Sequence, residues 1–256
     1  EIAFGEPGGL PPLVLPLAGG RRMRLSGRID RIDAAGDGAE ERWLRVVDYK
    51  SSAKKLKLSD VYYGLSLQLL AYLDAAVSGA KSLFGHRARP AGALYFHVHN
   101  PTPAFGLVPT AEDAERERFK RFKMHGLLSS EPEAVRRMDT ELSQGASPVV
   151  PLELKKDGSL GARSRAVDAQ RWEMLRAFVR AKMAELGGGA AGGAVAVSPY
   201  RLGEDTPCGF CRYRSVCGFD PAADEYRVLA PLTDKEAWER IERETSAASG
   251  GSGRTG

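Results

Sequence analysis

Polar and apolar positions alternate along residues 23–33, MRLSGRIDRID, where Met23, Leu25 and Ile29 fall on every second site. Residues 42–50, RWLRVVDYK, are dense in branched and aromatic side chains. Two strands are predicted, and the polar, turn-forming AAGDGAEE between them is short enough to join them as an antiparallel hairpin. Ser59 can cap a helix with Asp60 in its first turn; Val61, Leu65, Gln68, Tyr72 and Ala76 then recur at spacings of three and four, carrying that helix to about Ser78. AGALYFHVH, ended by Asn100-Pro101, predicts a third, buried strand. Strand, strand, helix and strand make a mixed α/β core.

Further along, Thr110 and Asp113 resemble a capping box opening a helix whose early acids give way to Arg118, Lys120, Arg121 and Lys123. Residues 129–164 are polar, are broken by Pro132, Pro148 and Pro151 and hold a Lys155-Lys156-Asp157-Gly158 turn; they read as a connector or insertion. From Ser164 to Leu186, Leu175, Phe178, Val179, Met183 and Leu186 line one face of another helix, which Gly187-Gly188-Gly189 is expected to stop. SAASGGSGRTG reads as a flexible tail. The chain thus divides into a core over 1–128, a connector over 129–164, a helix with a Cys-rich segment over 165–230, and an extension with its tail over 231–256.

Composition narrows this picture only a little. With 256 residues, 43% hydrophobic and 27% charged, the chain has the make-up of a globular protein with a real core. A net charge of +4 permits a polyanionic partner without requiring one. The longest apolar stretch, Val61 to Val77, contains Gln68 and Asp74 and is too short to span a membrane. The start at Glu1, with no basic and apolar leader, reads as a piece of something longer. Three cysteines, Cys208, Cys211 and Cys217, crowd within ten residues, an odd number suited to a metal centre in a reducing, cytoplasmic setting rather than to a disulfide framework.

The candidate chemistry lies in D-Y-K. Strand geometry puts Asp48 and Lys50 on one face and Tyr49 on the other. If the hairpin register allows, Asp30 brings a second carboxylate to the same neighbourhood, while Asp33, three positions on, faces away and reads as structural. Two carboxylates make a hard oxygen site suited to Mg²⁺, and a neighbouring lysine can orient an attacking water or offset charge on a phosphate. An isolated D-x-K is ordinarily a surface ion pair. Gln68 and Tyr72, four apart on the apolar stripe, change the reading: an inward-facing glutamine needs partners, as a core amide or as a group holding Lys50 or a substrate phosphate.

Taken together, GRID at 27–30, DYKS at 48–51 and Q-x-x-x-Y at 68–72 resemble the RecB-type branch of the PD-(D/E)xK nucleases. The longer runs GRIDRID, DYKSSAKKL and VYYGLSLQLLAYLDAA resemble more narrowly the C-terminal nuclease domain of AddB-type ATP-dependent helicase/nuclease subunits. That resemblance implies a restriction-endonuclease-like mixed sheet flanked by helices. It also implies that Asp30, Asp48 and the Tyr49 carbonyl hold the catalytic magnesium, and that Lys50 assists attack of water on a DNA phosphodiester. A further acidic or histidine ligand would come from a helix before the first strand, represented here at most by Glu1.

Cys208-x-x-Cys211 and Cys217 can converge on one soft centre. On spacing alone they could be zinc ligands or free thiols; the four histidines are distant in sequence, and His97 and His99, on one strand face, are assigned no role. The resemblance implies three corners of a [4Fe–4S] cluster, with the fourth cysteine upstream of the nuclease domain. It further implies a Mg²⁺-dependent exonuclease acting on DNA in a helicase–nuclease complex that processes double-strand breaks for recombination, with an AddA-type subunit as partner. No G-x-x-x-x-G-K-[ST] loop is present to bind ATP. The competing readings are a stand-alone iron–sulfur exonuclease of the same superfamily and a catalytically inactive, DNA-binding scaffold.

Overall fold

In Glu41–Lys50, ERWLRVVDYK, consecutive residues Trp43 and Leu44, and then Val46, Val47 and Asp48, are buried, so both faces of the strand are covered. Such a strand belongs in the middle of a sheet with layers on either side. The computed structural model, which describes residues 1–36, 40–99 and 110–251, shows that arrangement. The chain opens with β1 (Ile2–Phe4), β2 (Leu13–Pro16), β3 (Arg22–Leu25), β4 (Gly27–Ile29), β5 (Arg31–Ala35) and β6 (Glu41–Lys50), then helices α1 (Leu58–Tyr62) and α2 (Gln68–Phe84). Next come β7 (Arg87–His97), α3 (Ala111–Lys120), β8 (His125–Ser129), α4 (Pro132–Met138), β9 (Gly145–Ala146), β10 (Glu153–Leu154), β11 (Ala166–Val167) and α5 (Ala169–Ala191). The C-terminal part holds β12 (Tyr200–Leu202), α6 (Arg214–Cys217), β13 (Arg227–Leu229) and α7 (Asp234–Gly251).

The main sheet runs in the order β11-β8-β7-β6-β5. β6 and β7 are parallel, and α1 and α2 lie in the long connection that a parallel pair requires. β5 pairs antiparallel with β6, as the hairpin predicts, and β8 antiparallel with β7. One core joins Leu44 and Val46 of β6 to Leu69, Leu70, Leu73 and Ala76 of α2 and to Trp172, Leu175, Phe178 and Val179 of α5. A second joins Trp43, Val47, Leu94 and Leu128 to Val135 and Met138 of α4 and to Val150 and Leu152. The expected mixed sheet flanked by helices is therefore present. Among the described residues, no helix is long and apolar enough to cross a membrane.

Several local expectations need correction. Residues 23–33 form three strands rather than one, because the chain changes partner: β3 pairs with β2, β4 with β1 and β5 with β6. Asp30 sits at the last of these changes. The helix expected from Ser59 to Ser78 is two helices. Its N-cap is Lys57, without a side-chain cap, and the Ser59 hydroxyl donates to Asp60 Oδ1 instead. The first helix ends where Gly64 takes φ +77° and the Asp60 carbonyl accepts from both Leu65 and Ser66 N–H. The second begins at Gln68, which is exposed rather than inward-facing.

The glycine run 187–189 does not stop α5, which starts from an Asp168 cap (Arg171 N–H to Oδ1, 2.8 Å) and continues to Ala191. A Cβ at residue 187 would lie 2.3 Å from Met23 Sδ, so this glycine lets the helix pass close to β3. Residues 129–164, read as a connector, carry α4 and the β9–β10 pair, and their apolar residues complete the second core. α7 extends to Gly251, through the first part of the segment read as a tail. The Thr110 cap is formed as one arm of the expected box: Asp113 N–H donates to the Thr110 hydroxyl oxygen at 3.1 Å, and that hydroxyl donates to Asp113 Oδ2 at 2.6 Å. Asn100-Pro101 and the Arg118 side chain lie outside what is described.

Candidate active site

The end of β6 gathers the charged groups. The period of two sends Asp48 and Lys50 to one side, and Asp48 is 3% exposed. Pairing with β5 ends at Arg31 opposite Val47, so Tyr49 N–H lies beyond the last strand carbonyl and donates instead to Asp30 Oδ2 at 2.8 Å. That bond holds the second carboxylate beside the first. Asp48 Oδ2 lies 2.6 Å from Lys50 Nζ, an ion pair poorly aligned for a hydrogen bond, and this buried oxygen has no well-formed hydrogen bond.

From Lys50 the contacts continue into α2. Lys50 Nζ donates to Gln68 Oε1 (3.1 Å), and Gln68 Nε2 donates to the Tyr72 hydroxyl one turn on (2.9 Å). The Tyr72 ring packs edge-on against Phe4, with centroids 5.9 Å apart. Asp30, Asp48, Lys50, Gln68 and Tyr72, predicted as a set, thus stand together, with the Tyr49 backbone between the carboxylates. Partial burial disfavours the Lys50 charge, but Asp48, reinforced by Tyr95 and Asp30, outweighs it and holds Lys50 above the ordinary lysine range. Lys50 is an ammonium at neutral pH.

Asp33 lies apart, as expected from its position. Burial would raise its pKa, yet ion pairs with Arg31 (2.7 Å) and Arg45 (2.6 Å) hold it below the usual carboxylate range.

Two site residues escape the sequence reading. Tyr95 is the β7 partner of Asp48 and is almost fully buried; Lys54 Nζ lies 5.2 Å and Lys50 Nζ 5.9 Å from its ring centroid. Burial pushes its phenol up, against a contact with Ser66. His125 of β8 is in turn the partner of Tyr95. Burial, then Lys55, Lys123 and Arg165, hold it below the ordinary imidazole range. Asp48, Tyr95 and His125 therefore form a row across three strands. Alternation within LYFHVH signals only that Tyr95 and His97 share a face; the row depends on register between distant segments.

Cys208, Cys211 and Cys217 are free thiols, the second exposed and the others half-buried. All three line one cavity of about 220 Å³ with Thr206, Arg214 and Phe219, and Phe219 N–H donates to Cys217 Sγ at 3.4 Å. Among the described residues, no three His, Cys, Asp or Glu side chains form a group that could hold a metal ion. The cysteines share a cavity without making a closed ligand set.

The profile of the PD-(D/E)XK nuclease superfamily matches residues 1–218. The chain is 44% identical over 249 residues to the B subunit of the ATP-dependent helicase/deoxyribonuclease of Bacillus licheniformis, covering 96% of this chain and 21% of that protein. The proteins of the same name from Listeria innocua and Bacillus subtilis are 47% and 45% identical over 90% and 95% of this chain, and 20% and 21% of their own lengths. The chain thus spans about a fifth of the length of the curated relatives it matches. A profile match over most of its length, together with this level of identity, places the chain in the PD-(D/E)XK nuclease superfamily.

Proposed function

We propose that this chain is a Mg²⁺-dependent DNA exonuclease domain, acting within a helicase–nuclease complex that processes double-strand breaks for recombination and working beside an AddA-type subunit. The observation that carries the reading is the continuous set of contacts from Asp48 through Lys50 and Gln68 to Tyr72, with Asp30 fixed beside it. The donor set fits magnesium. Asp48 Oδ2 is buried with no well-formed hydrogen bond, and two carboxylates with the Tyr49 carbonyl match an ion that keeps several waters. When bound there, the ion would polarise a phosphodiester and make water a better nucleophile.

The protein groups have separable tasks. Tyr49 N–H orients Asp30. Lys50, held as an ammonium, donates to the attacking water or offsets charge on the phosphate in the transition state. Gln68 accepts from Lys50 and so aims it, while the Tyr72 hydroxyl fixes which end of the amide faces the lysine.

Cys208, Cys211 and Cys217 line one cavity without making a closed ligand set there; by the family resemblance they would hold three corners of a [4Fe–4S] cluster serving as a structural clasp.

The test is cleavage of end-labelled DNA with and without Mg²⁺. Lys50→Met is expected to slow cleavage by about 10²- to 10⁴-fold with KM little changed. Mg²⁺-dependent cleavage that survives both this change and Asp48→Asn would place the chemistry elsewhere.

A further inference from the structure

The cations around the candidate active site differ in what already occupies them. Lys50 Nζ is paired with Asp48 and donates to Gln68, and Lys123 Nζ donates to the Ser147 carbonyl. Arg165 Nη2 donates to the Leu56 carbonyl and to Asp234. Lys54 stands apart. It is half-buried, and among the described residues its ammonium takes part in no ion pair or hydrogen bond. What it meets is a ring: Lys54 Nζ lies 5.2 Å from the Tyr95 centroid, and Lys50 Nζ lies 5.9 Å from the same point. Tyr95 is the β7 partner of Asp48, so the two side chains leave the sheet on one face. At 1% exposure, with its hydroxyl 3.5 Å from Ser66 Oγ, that ring is a fixed platform for both ammoniums.

The loop that carries Lys54 is anchored at both ends. At its start, Val98 N–H donates to the Lys50 carbonyl (2.8 Å), and His97 Nε2 lies 3.2 Å from the Ser51 carbonyl oxygen. At its end, Leu56 is buried in the first core and its carbonyl accepts from Arg165 (3.1 Å). Between these anchors Ser52, Ala53 and Lys55 are exposed, while Lys54 alone turns back over the sheet. Holding an ammonium partly out of water with its donors unspent is costly, and here only the ring offsets that cost. Two ammoniums at one ring also repel each other. An anion from outside the chain removes both penalties.

Building on the nuclease reading, we propose that Lys54 is a substrate-binding residue that contacts the DNA phosphate next to the scissile one. Two ammoniums on one ring match two consecutive phosphates of a strand. Lys50, beside Asp48, serves the reacting phosphate, and Lys54 holds its neighbour.

The test pairs Lys54→Gln and Lys54→Arg with single-stranded oligonucleotides in which one phosphate at a time is replaced by an uncharged methylphosphonate. Binding is read without metal, by fluorescence anisotropy over a range of salt concentrations. Lys54→Gln should weaken binding of the all-phosphate strand by about tenfold and lower the slope of log Kd against log salt by about 0.7, and Lys54→Arg should restore both. A methylphosphonate at one position should weaken binding by the unmodified protein equally and leave Lys54→Gln unaffected. With Mg²⁺, the loss should fall on KM rather than kcat. An unchanged salt slope, or the same penalty for Lys54→Gln on every methylphosphonate strand, would overturn the contact. The scan of the unmodified protein needs no variant, and equal penalties at every position would overturn it too. A position-specific, Lys54-dependent penalty without cleavage would refute the nuclease reading and keep the contact. Asp48-dependent cleavage indifferent to Lys54→Gln would do the reverse.

Discussion

Asp48 and Asp74 are both hidden from water, at 3% and 0% exposure, but they are held in opposite ways. Asp74, on α2, is gripped from α5: Arg176 Nε donates to Oδ1 (2.8 Å), Arg180 Nε to Oδ2 (2.6 Å) and Arg180 Nη2 to Oδ1 (3.2 Å). Both arginines also reach the Ser78 hydroxyl. Both oxygens of this carboxylate are engaged, and the group acts as a rivet between two helices. Asp48 is met on its buried Oδ2 by one poorly aligned lysine, with no well-formed hydrogen bond to that oxygen. A buried charge is tolerated when its hydrogen-bonding capacity is filled. The one left short is the one with capacity to spare for a ligand.

The comparison predicts that chemistry and stability separate. Asp48→Asn should reduce Mg²⁺-dependent cleavage by about 10³-fold, the several kcal/mol expected for losing a metal ligand. Its urea midpoint should move much less than that of Asp74→Ala; a midpoint shift as large as that variant's would erase the distinction. Asp74→Ala should cost about 3 kcal/mol in urea unfolding, because it removes the buried carboxylate that Arg176 and Arg180 share across the α2–α5 interface, while cleavage per folded molecule persists. Arg176→Met should cost about 1.5–3 kcal/mol by the same measurement, since Arg180 still donates to both Asp74 oxygens.

The smallest effect belongs to a third carboxylate, Asp33, whose folded pKa is depressed by Arg31 and Arg45. A depressed acid adds stability above its unfolded pKa of about 4, and loses it as pH falls through the lower folded value. The stability gap between the unmodified protein and Asp33→Asn should therefore be under about 1 kcal/mol at pH 7 and close below about pH 4. Urea titrations from pH 7 to 2.5 would show it.

What could be read from the residues was local. Alternation placed Asp48 and Lys50 on one strand face, the hairpin brought β5 against β6, and position alone set Asp33 aside. The Thr110 cap was legible because both partners lie within one turn. What was missed depended on neighbours distant in the chain. A spacing of three and four ran unbroken across Gly64 and hid the interruption between α1 and α2. Three glycines read as a stop, yet Gly187 answers to Met23, far away in sequence. The prolines of 129–164 masked Val150 and Leu152, whose apolar role appears only once α4 folds beneath the sheet. Tyr95 and His125 entered the site through pairing that no short motif encodes.

The interruption at residues 63–67 also decouples two orientations. In an uninterrupted helix each residue advances the bearing by about 100°, so the direction of position 68 would be dictated by the stripe that begins at Val61. Restarting at Gln68 resets that phase. The five intervening residues work as an angular adjuster, through which the amide can be re-aimed while the packed faces of both helices keep their places.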